Sequence, residues 1–343
     1  MKSQIGFIAV GQAGGNIGLL FEKCGYSVLF LNTYQEDLTT LKDAKHTYKI
    51  KDGEGCNKDR DKAKDLVIND FEAILEQIKE KLTEQYIYII FSAGGGTGSG
   101  ASPMLIDLMI QNTDKKVGAV IIIPSKTESL KTYINMYECF KELEEIDGIG
   151  ATFILDNNKA DNLSINKKFV DLFNAVTEVP LHRSIRGNID TAEVKEMLYT
   201  RGAAIISKVS KDSTPMPRVI KSIHDNIFAP IEEDRVIKYI GLSAINSIDV
   251  SEIIKETGKP LDIFQGSNPI NNICILSGLT FPYRVFEEMK KTIQENKEDI
   301  TNSLKQTREA KLSDDINFLS DIGNPSSKSK ININDVFSKY KKK

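Results

Sequence analysis

The residues in this chain most able to do chemistry are glycines. Ser92-Ala93-Gly94-Gly95-Gly96-Thr97-Gly98-Ser99-Gly100 sets five glycines within seven positions, between an apolar run, Tyr86–Phe91, and a helical stretch. Glycine loses more backbone freedom on folding than any other residue. Such a density makes sense where main-chain N–H groups must wrap an anion, with the Thr97 and Ser99 hydroxyls as further donors. Gly11-Gln12-Ala13-Gly14-Gly15-Asn16-Ile17-Gly18 forms a similar turn after the first apolar run. A helix N-terminus behind each loop adds unpaired donors and a favourable dipole. Both features point to bound phosphate.

Two common phosphate sites do not fit. A dinucleotide fingerprint needs a second glycine where Ala13 stands, and an acidic ribose reader where Asn32-Thr33 stands. A Walker loop needs Gly-Lys-Ser/Thr, which is absent from the chain. Cys24, Cys56, Cys139 and Cys274 lie too far apart in sequence for a zinc knuckle or a redox pair. His46, His182 and His224 are scattered and give little support to a His-based triad or metal site. The 343 residues carry 45 Lys+Arg against 48 Asp+Glu, a net charge of -3, which argues against a basic nucleic-acid coat. No apolar run approaches the ~20 residues of a membrane helix. The opening MKSQIGFIAVGQAGG enters a strand-like run directly, and the expected location is cytoplasmic, without membrane association.

Around these loops the pattern alternates. Strands are expected at Gln4–Val10, Ser27–Leu31, Tyr86–Phe91, Val117–Ile123 and Ala151–Leu155. Helices are expected at Gly14–Cys24, Asp59–Leu82, Ser99–Met109 and Ser129–Ile146. Continuous apolar strands between helices imply an α/β fold with a parallel sheet covered on both faces. A helical stretch over Ile165–Arg186 follows, kinked at Pro180, then Glu193–Leu198. Further strands are read at Ala203–Ser207, Val236–Leu242 and Asn272–Leu279, and a charged helix over Tyr283–Lys311.

GGGTGSG resembles the signature of the tubulin/FtsZ superfamily of polymerising GTPases. GQAGGNIG resembles that superfamily's first nucleotide loop, in a spelling closer to tubulin than to FtsZ. The resemblance covers roughly residues 1–285. It implies GTP or GDP with Mg2+, and no metal ligands can be named from the sequence. It also implies a GTP-binding domain over 1–164, a central helix over 165–187 and a second, smaller α/β domain over 188–282. A charged helix region (283–322) and a basic tail (323–343) complete the expected organisation.

Residue by residue, the resemblance places Gly11–Asn16 and Gly94–Ser99 on the phosphates, with Asn32 beside them. Gly55, Cys56 and Asn57 match the loop that senses the terminal phosphate, departing from a neutral loop by carrying Glu54. Pro124 and Glu128 fit the ribose loop, and Asn157 the sugar and base. Two alignments compete for the base reader. Phe173 as stacking aromatic leaves a central helix of about 14 residues, ~21 Å. A start at Asn166 gives about 22 residues, ~33 Å, and reaches the loop at Gly187. Asn166 is preferred for guanine, although an Asn at a helix start is equally a cap.

Gly187-Asn188-Ile189-Asp190-Thr191-Ala192-Glu193 resembles the superfamily's Asn-x-Asp-x-x-Asp/Glu catalytic loop, which completes the site of the next subunit. That implies roles for Asp190 and Glu193 on the attacking water and for Asn188 in holding the loop. The same spacing suits a capped helix start. The implied activity is a GTPase forming head-to-tail filaments. The long charged helix and short Lys-rich end resemble the TubZ branch, which moves plasmid or phage DNA through a DNA-binding adaptor. An FtsZ-like cell-division GTPase is the alternative. A monomeric nicotinamide enzyme is a third reading, opposed by the missing fingerprint.

The tail carries Lys328, Lys330, Lys339, Lys341, Lys342 and Lys343 against Asp335, with Val336, Phe337 and Tyr340 among them. Such a patch suits an acidic surface on an adaptor better than DNA alone, since a few lysines bind phosphates weakly and salt-sensitively. Truncation after Ile322 is expected to leave GTP-dependent assembly intact and to lower co-sedimentation of an adaptor–DNA complex. Unchanged capture would move that role to the charged helix.

Overall fold

Apolar runs too short for helices and apolar on both faces form the central layer of a computed structural model. It describes residues 1–309 other than 186, 211–214 and 247–248. The strands are β1 (Ile5–Val10), β2 (Ser27–Asn32), β3 (His46–Lys49), β4 (Tyr86–Ser92), β5 (Lys116–Ile123), β6 (Ala151–Asp156), β7 (Gly202–Ser210), β8 (Tyr239–Ala244), β9 (Asp262–Ser267) and β10 (Asn271–Leu279). The helices are α1 (Gly11–Lys23), α2 (Gln35–Thr40), α3 (Arg60–Lys81), α4 (Thr97–Asn112), α5 (Leu130–Glu144), α6 (Asn162–Glu178), α7 (Thr191–Tyr199), α8 (Pro215–His224), α9 (Ser251–Thr257) and α10 (Tyr283–Glu309).

The strands form one sheet in the order β3-β2-β1-β4-β5-β6-β7-β10-β8-β9. β10 runs antiparallel to β7 and β8; the other neighbours pair in parallel. The expected α/β class is correct, with a smaller second part built from β7–β10. β6 meets β7 through just two residue pairs, Ala151 with Gly202 and Thr152 with Ala203. Residues Met1–Glu287 form one compact unit, and a second begins at Glu288. At its root α10 is tied by Arg284 to Glu232 and Glu233, and Phe286 packs on Phe140 of α5 at 4.2 Å between ring centroids.

Two motif glycines serve packing. A Cβ on Gly14 would lie 2.3 Å from the Ile90 carbonyl oxygen, and one on Gly18 2.7 Å from the Ala9 Cβ. Their bareness lets α1 lie close on β1 and β4. Gly14, expected on the phosphates, is thus also a point of close contact with the sheet.

The central helix differs from expectation at both ends. α6 starts at Asn162, because the Asp161 carboxylate accepts the Ser164 N–H at 2.9 Å and caps it there. Asn166 thus lies one turn inside and is not a cap. The helix stops at Glu178 and a 3-10 turn, Val179–Leu181, follows. Pro180 ends the helix instead of kinking it. The remaining 17 residues span roughly 25 Å. The Tyr239 start of β8 also trims the expected strand by three residues, and Val236 is exposed.

Phe173 is fully buried. Its ring meets those of Phe7, Phe21, Tyr88 and Phe153 at centroid distances of 5.6, 5.4, 5.4 and 5.8 Å. It belongs to the aromatic core beneath the sheet and cannot stack on a base. Burial also pushes the Cys139 and Cys274 thiols up to about 12, so both stay uncharged. All four cysteines are free thiols. Phe173→Ala is expected to cost about 3–5 kcal/mol in urea unfolding through the cavity it leaves. The preference for GTP over ATP, measured by calorimetry on the folded fraction, should not change.

Candidate active site

Chain order reverses between β1 and β4 in the sheet, which leaves a crevice beyond their carboxyl ends. A cleft of about 350 Å³ opens there. Of the expected residues, Asn32, Gly55, Cys56, Asn57, Gly96 and Thr97 line it, with Glu54, Thr33, Tyr34 and Asp37. The other expected nucleotide residues lie outside this lining, on loops and helix starts at the same edge of the sheet.

Two helices point bare N-termini toward this edge. α1 follows Val10 and α4 follows Gly96, with no side-chain cap and no acidic residue in either first turn. By contrast, Asp59, Asp161 and Asp190 cap α3, α6 and α7 with their side chains. Leaving donors open at these two ends suits an anion.

The glycines of the second loop divide by role. A Cβ on Gly94 would meet the Thr132 methyl at 2.3 Å, one on Gly96 the Cys56 Cβ at 2.9 Å, and one on Gly100 the Arg60 carbonyl at 2.4 Å. A Cβ on Gly95 would meet nothing within 4 Å. The N–H groups of Gly95 and Gly96 make no hydrogen bond among the described residues. Thr97 and Thr33 share a hydroxyl hydrogen bond of 2.7 Å, and the Cys56 thiol donates to Thr33 Oγ1 at 3.4 Å. Ser99 corrects an expectation. It is fully buried and its hydroxyl donates to the Gly95 carbonyl, so the hydroxyl shapes the loop and is not a donor to a ligand.

The loop after β3 is folded onto the cleft by main-chain bonds. Gly55 N donates to Thr33 O at 3.0 Å and Ile50 N to Asn32 O at 2.9 Å. Asp52, Asn57 and Lys58 adopt positive φ, and Lys58 turns its ammonium away to Thr132 Oγ1 at 2.6 Å. Asn32 is spent inside the protein: its amide donates to Asp37 at 3.1 Å and its carbonyl accepts the Tyr34 N–H. Glu128 accepts Ser125 N–H at 3.2 Å. Asn158, not anticipated, joins the β5 and β6 loops by accepting the Lys126 N–H at 2.7 Å. The side chains of Asn157 and Asn166 are half-buried and make no hydrogen bond among the described residues.

Asn188, Asp190 and Glu193 sit at the other end of α6. That end is fixed at the opposite edge of the sheet by Tyr26, whose hydroxyl lies 2.9 Å from Thr177 Oγ1, and by the Lys2–Glu178 ion pair. Asp190 and Glu193 form a reciprocal capping box: Asp190 Oδ1 accepts Glu193 N–H at 2.9 Å and Glu193 Oε2 accepts Asp190 N–H at 2.7 Å. Asn188 Oδ1 accepts the Ser184 N–H. All three remain at least partly exposed.

Residues 4–164 match the family model "Tubulin/FtsZ family, GTPase domain". A tubulin-like protein TubZ of a Clostridium botulinum C phage is 33% identical over 317 residues, 90% of this chain and 86% of that protein. The crystal structure of Clostridium botulinum phage c-st TubZ superposes with a TM-score of 0.79 at 29% identity, covering 87% of this chain and all of that one. A GTPγS-form protofilament of TubZ from Bacillus thuringiensis serovar israelensis shares the fold, with a TM-score of 0.73 at 17% identity over 87% of this chain and 94% of that one. The chain belongs to the tubulin/FtsZ family and carries its GTPase domain. It is a GTPase, and its nucleotide is GTP with Mg2+.

The Gly95 and Gly96 N–H groups are open at the cleft edge, and the amides of Asn157 and Asn166 have no partner among the described residues. Among the described residues no Lys or Arg lines the cleft, whereas the carboxylates of Asp37 and Glu54 do. No three His, Cys, Asp or Glu converge as a metal site among the described residues. A cation would therefore be carried largely by the phosphates, with Asp37 and Glu54 facing it. Calorimetry with EDTA in place of Mg2+ is expected to show GTP affinity reduced at least about tenfold, since two carboxylates then face uncompensated phosphate charge.

Proposed function

We propose that this protein is a GTP-driven filament former that assembles head to tail and segregates plasmid or phage DNA. The observation that carries the reading is the separation along α6. Asp190 and Glu193 lie roughly 25 Å of helix away from the cleft edge, too far to act on the chain's own nucleotide. They are useful to hydrolysis where a second copy brings its cleft to them. Leu181, Ile185 and Ile270 are exposed, and Leu181 and Ile185 precede the loop directly; Tyr34 and Leu163 are exposed near the nucleotide edge. Apolar groups on both ends support a self-association of this kind.

In this reading 1–164 binds GTP, 165–187 spaces the two ends, and 188–282 presents the catalytic loop. Gly11, Gln12, Ala13, Gly15, Asn16 and Gly94–Gly98 contribute backbone and short polar groups to the phosphates. Glu128, Asn157 and Asn166 contact sugar and base, and Mg2+ neutralises phosphate charge as the bond to the terminal phosphate breaks. Asp190 and Glu193 of the neighbouring copy orient the attacking water, while Asn188 holds the loop. The protein works in the cytoplasm, and a DNA-binding adaptor engages the basic tail, which lies outside the described residues. The match to a phage TubZ over most of both chains favours this over cell division.

Asp190→Asn keeps an N-cap acceptor of comparable strength and removes the charge. It is expected to lower turnover by about a hundredfold with GTP affinity unchanged and filaments longer-lived by electron microscopy. Wild-type turnover per molecule should rise steeply with protein concentration. Equal turnover in dilute, unassembled protein would refute catalysis between copies.

A further inference from the structure

Asn135 lies on the buried face of α5 and is 6% exposed. Its Nδ2 donates to three main-chain carbonyls: Gly95 O at 3.0 Å, Lys58 O at 3.0 Å and Gly94 O at 3.3 Å. One neutral amide thus holds two loops that are 36 residues apart at their nearest held positions, Lys58 and Gly94. The consequence follows from the planar trans peptide, in which C=O and the next N–H point in opposite directions. Drawing the Gly94 carbonyl toward α5 turns the Gly95 N–H away from it. Drawing the Gly95 carbonyl does the same for the Gly96 N–H. Both of those N–H groups are without partners among the described residues, and at Gly95 the Cβ side is open as well.

The rest of the contact acts in the same sense. Ser99 also donates to Gly95 O, and the Thr132 methyl, on the preceding turn of α5, packs against Gly94. At the other loop, the Lys58 carbonyl is held just where Asp59 N–H closes a turn on Cys56 O at 2.7 Å. That turn carries Cys56 and Asn57 along the cleft wall.

We infer that Asn135 is a positioning residue: it aims the Gly95 and Gly96 N–H groups at the nucleotide phosphates and locks the terminal-phosphate loop to them. It acts through the peptide planes and touches no phosphate itself. This inference rests on the reading that the phosphates of GTP lie on the Gly94–Gly98 loop.

The test compares ligands with and without phosphates on full-length protein. Asn135→Leu keeps the volume and removes both donors; Asn135→Asp keeps the shape and replaces donors with acceptors. Affinity for GDP and GTP is expected to fall about 10- to 100-fold in either variant, the range for losing one or two such hydrogen bonds. Affinity for guanosine, followed by NMR titration, should stay within about twofold, because the base end is unaffected. A merely structural role would lower the melting temperature of the nucleotide-free protein or weaken nucleoside and nucleotide alike. The Asp variant carries the comparison if the Leu variant does not fold. A folded variant that binds GDP and GTP like wild type, or that loses guanosine in proportion, overturns the role of Asn135 alone. Wild-type protein that bound neither GDP nor GTP would overturn the phosphate site as well.

Discussion

The constraint from which much of this molecule follows is a cleft for a highly charged triphosphate that, among the described residues, no cationic side chain lines. A lysine or arginine would supply charge on a flexible stem. In the proposed site the main chain supplies it, through N–H groups that approach phosphate most closely where no Cβ intervenes. That requirement explains the bare glycine at 95 and the uncapped starts of α1 and α4. It also explains the parallel sheet, since only parallel strands deliver several helix N-termini to one edge. Glycines at 14, 94, 96 and 100 serve the same end at one remove, because they let the loop-bearing elements pack closely enough to hold the open donors in place.

The second requirement is distance. α6 crosses beneath the sheet, embedded through Ile165, Phe169 and Phe173 in the aromatic core. Its length separates the binding end from the loop at Asp190. There each of two carboxylates accepts a main-chain N–H of the other's residue, which fixes the start of α7, and both residues stay at least partly exposed. Capping orients the acids, so the proposed chemistry would use the same geometry that stabilises the helix start.

The class of fold was readable because buried parallel strands such as Tyr86–Phe91 are apolar throughout, and because five glycines in seven positions have few physical explanations. Other features were hidden for identifiable reasons. β3 and β9 are edge strands with half-exposed, polar sequences, HTYK and DIFQGS, that carry no apolar signal. Phe173 looked available to a base because its exposure depends on helix phase, and that phase was set by the Asp161 cap, a turn earlier than Asn166. Ser99 looked like a ligand donor because sequence does not reveal which side of a helix start a hydroxyl faces. Asn135 left one trace: it is an amide on a stripe otherwise formed by Tyr133, Met136, Cys139, Phe140 and Leu143. Its partners are main-chain carbonyls, which no residue type announces.

The seam between β6 and β7 gives the sheet an uneven mechanics. Elsewhere neighbouring strands share four or more rungs, but Ala151–Gly202 and Thr152–Ala203 are the whole of this joint. Twist applied to the sheet collects where rungs are fewest. Past those two rungs the edge of β6 is taken up by residues 227–229, through Asp156 N–H on Ile227 O and Ala229 N–H on Ile154 O, both at 2.9 Å, so a crossing segment splints the joint.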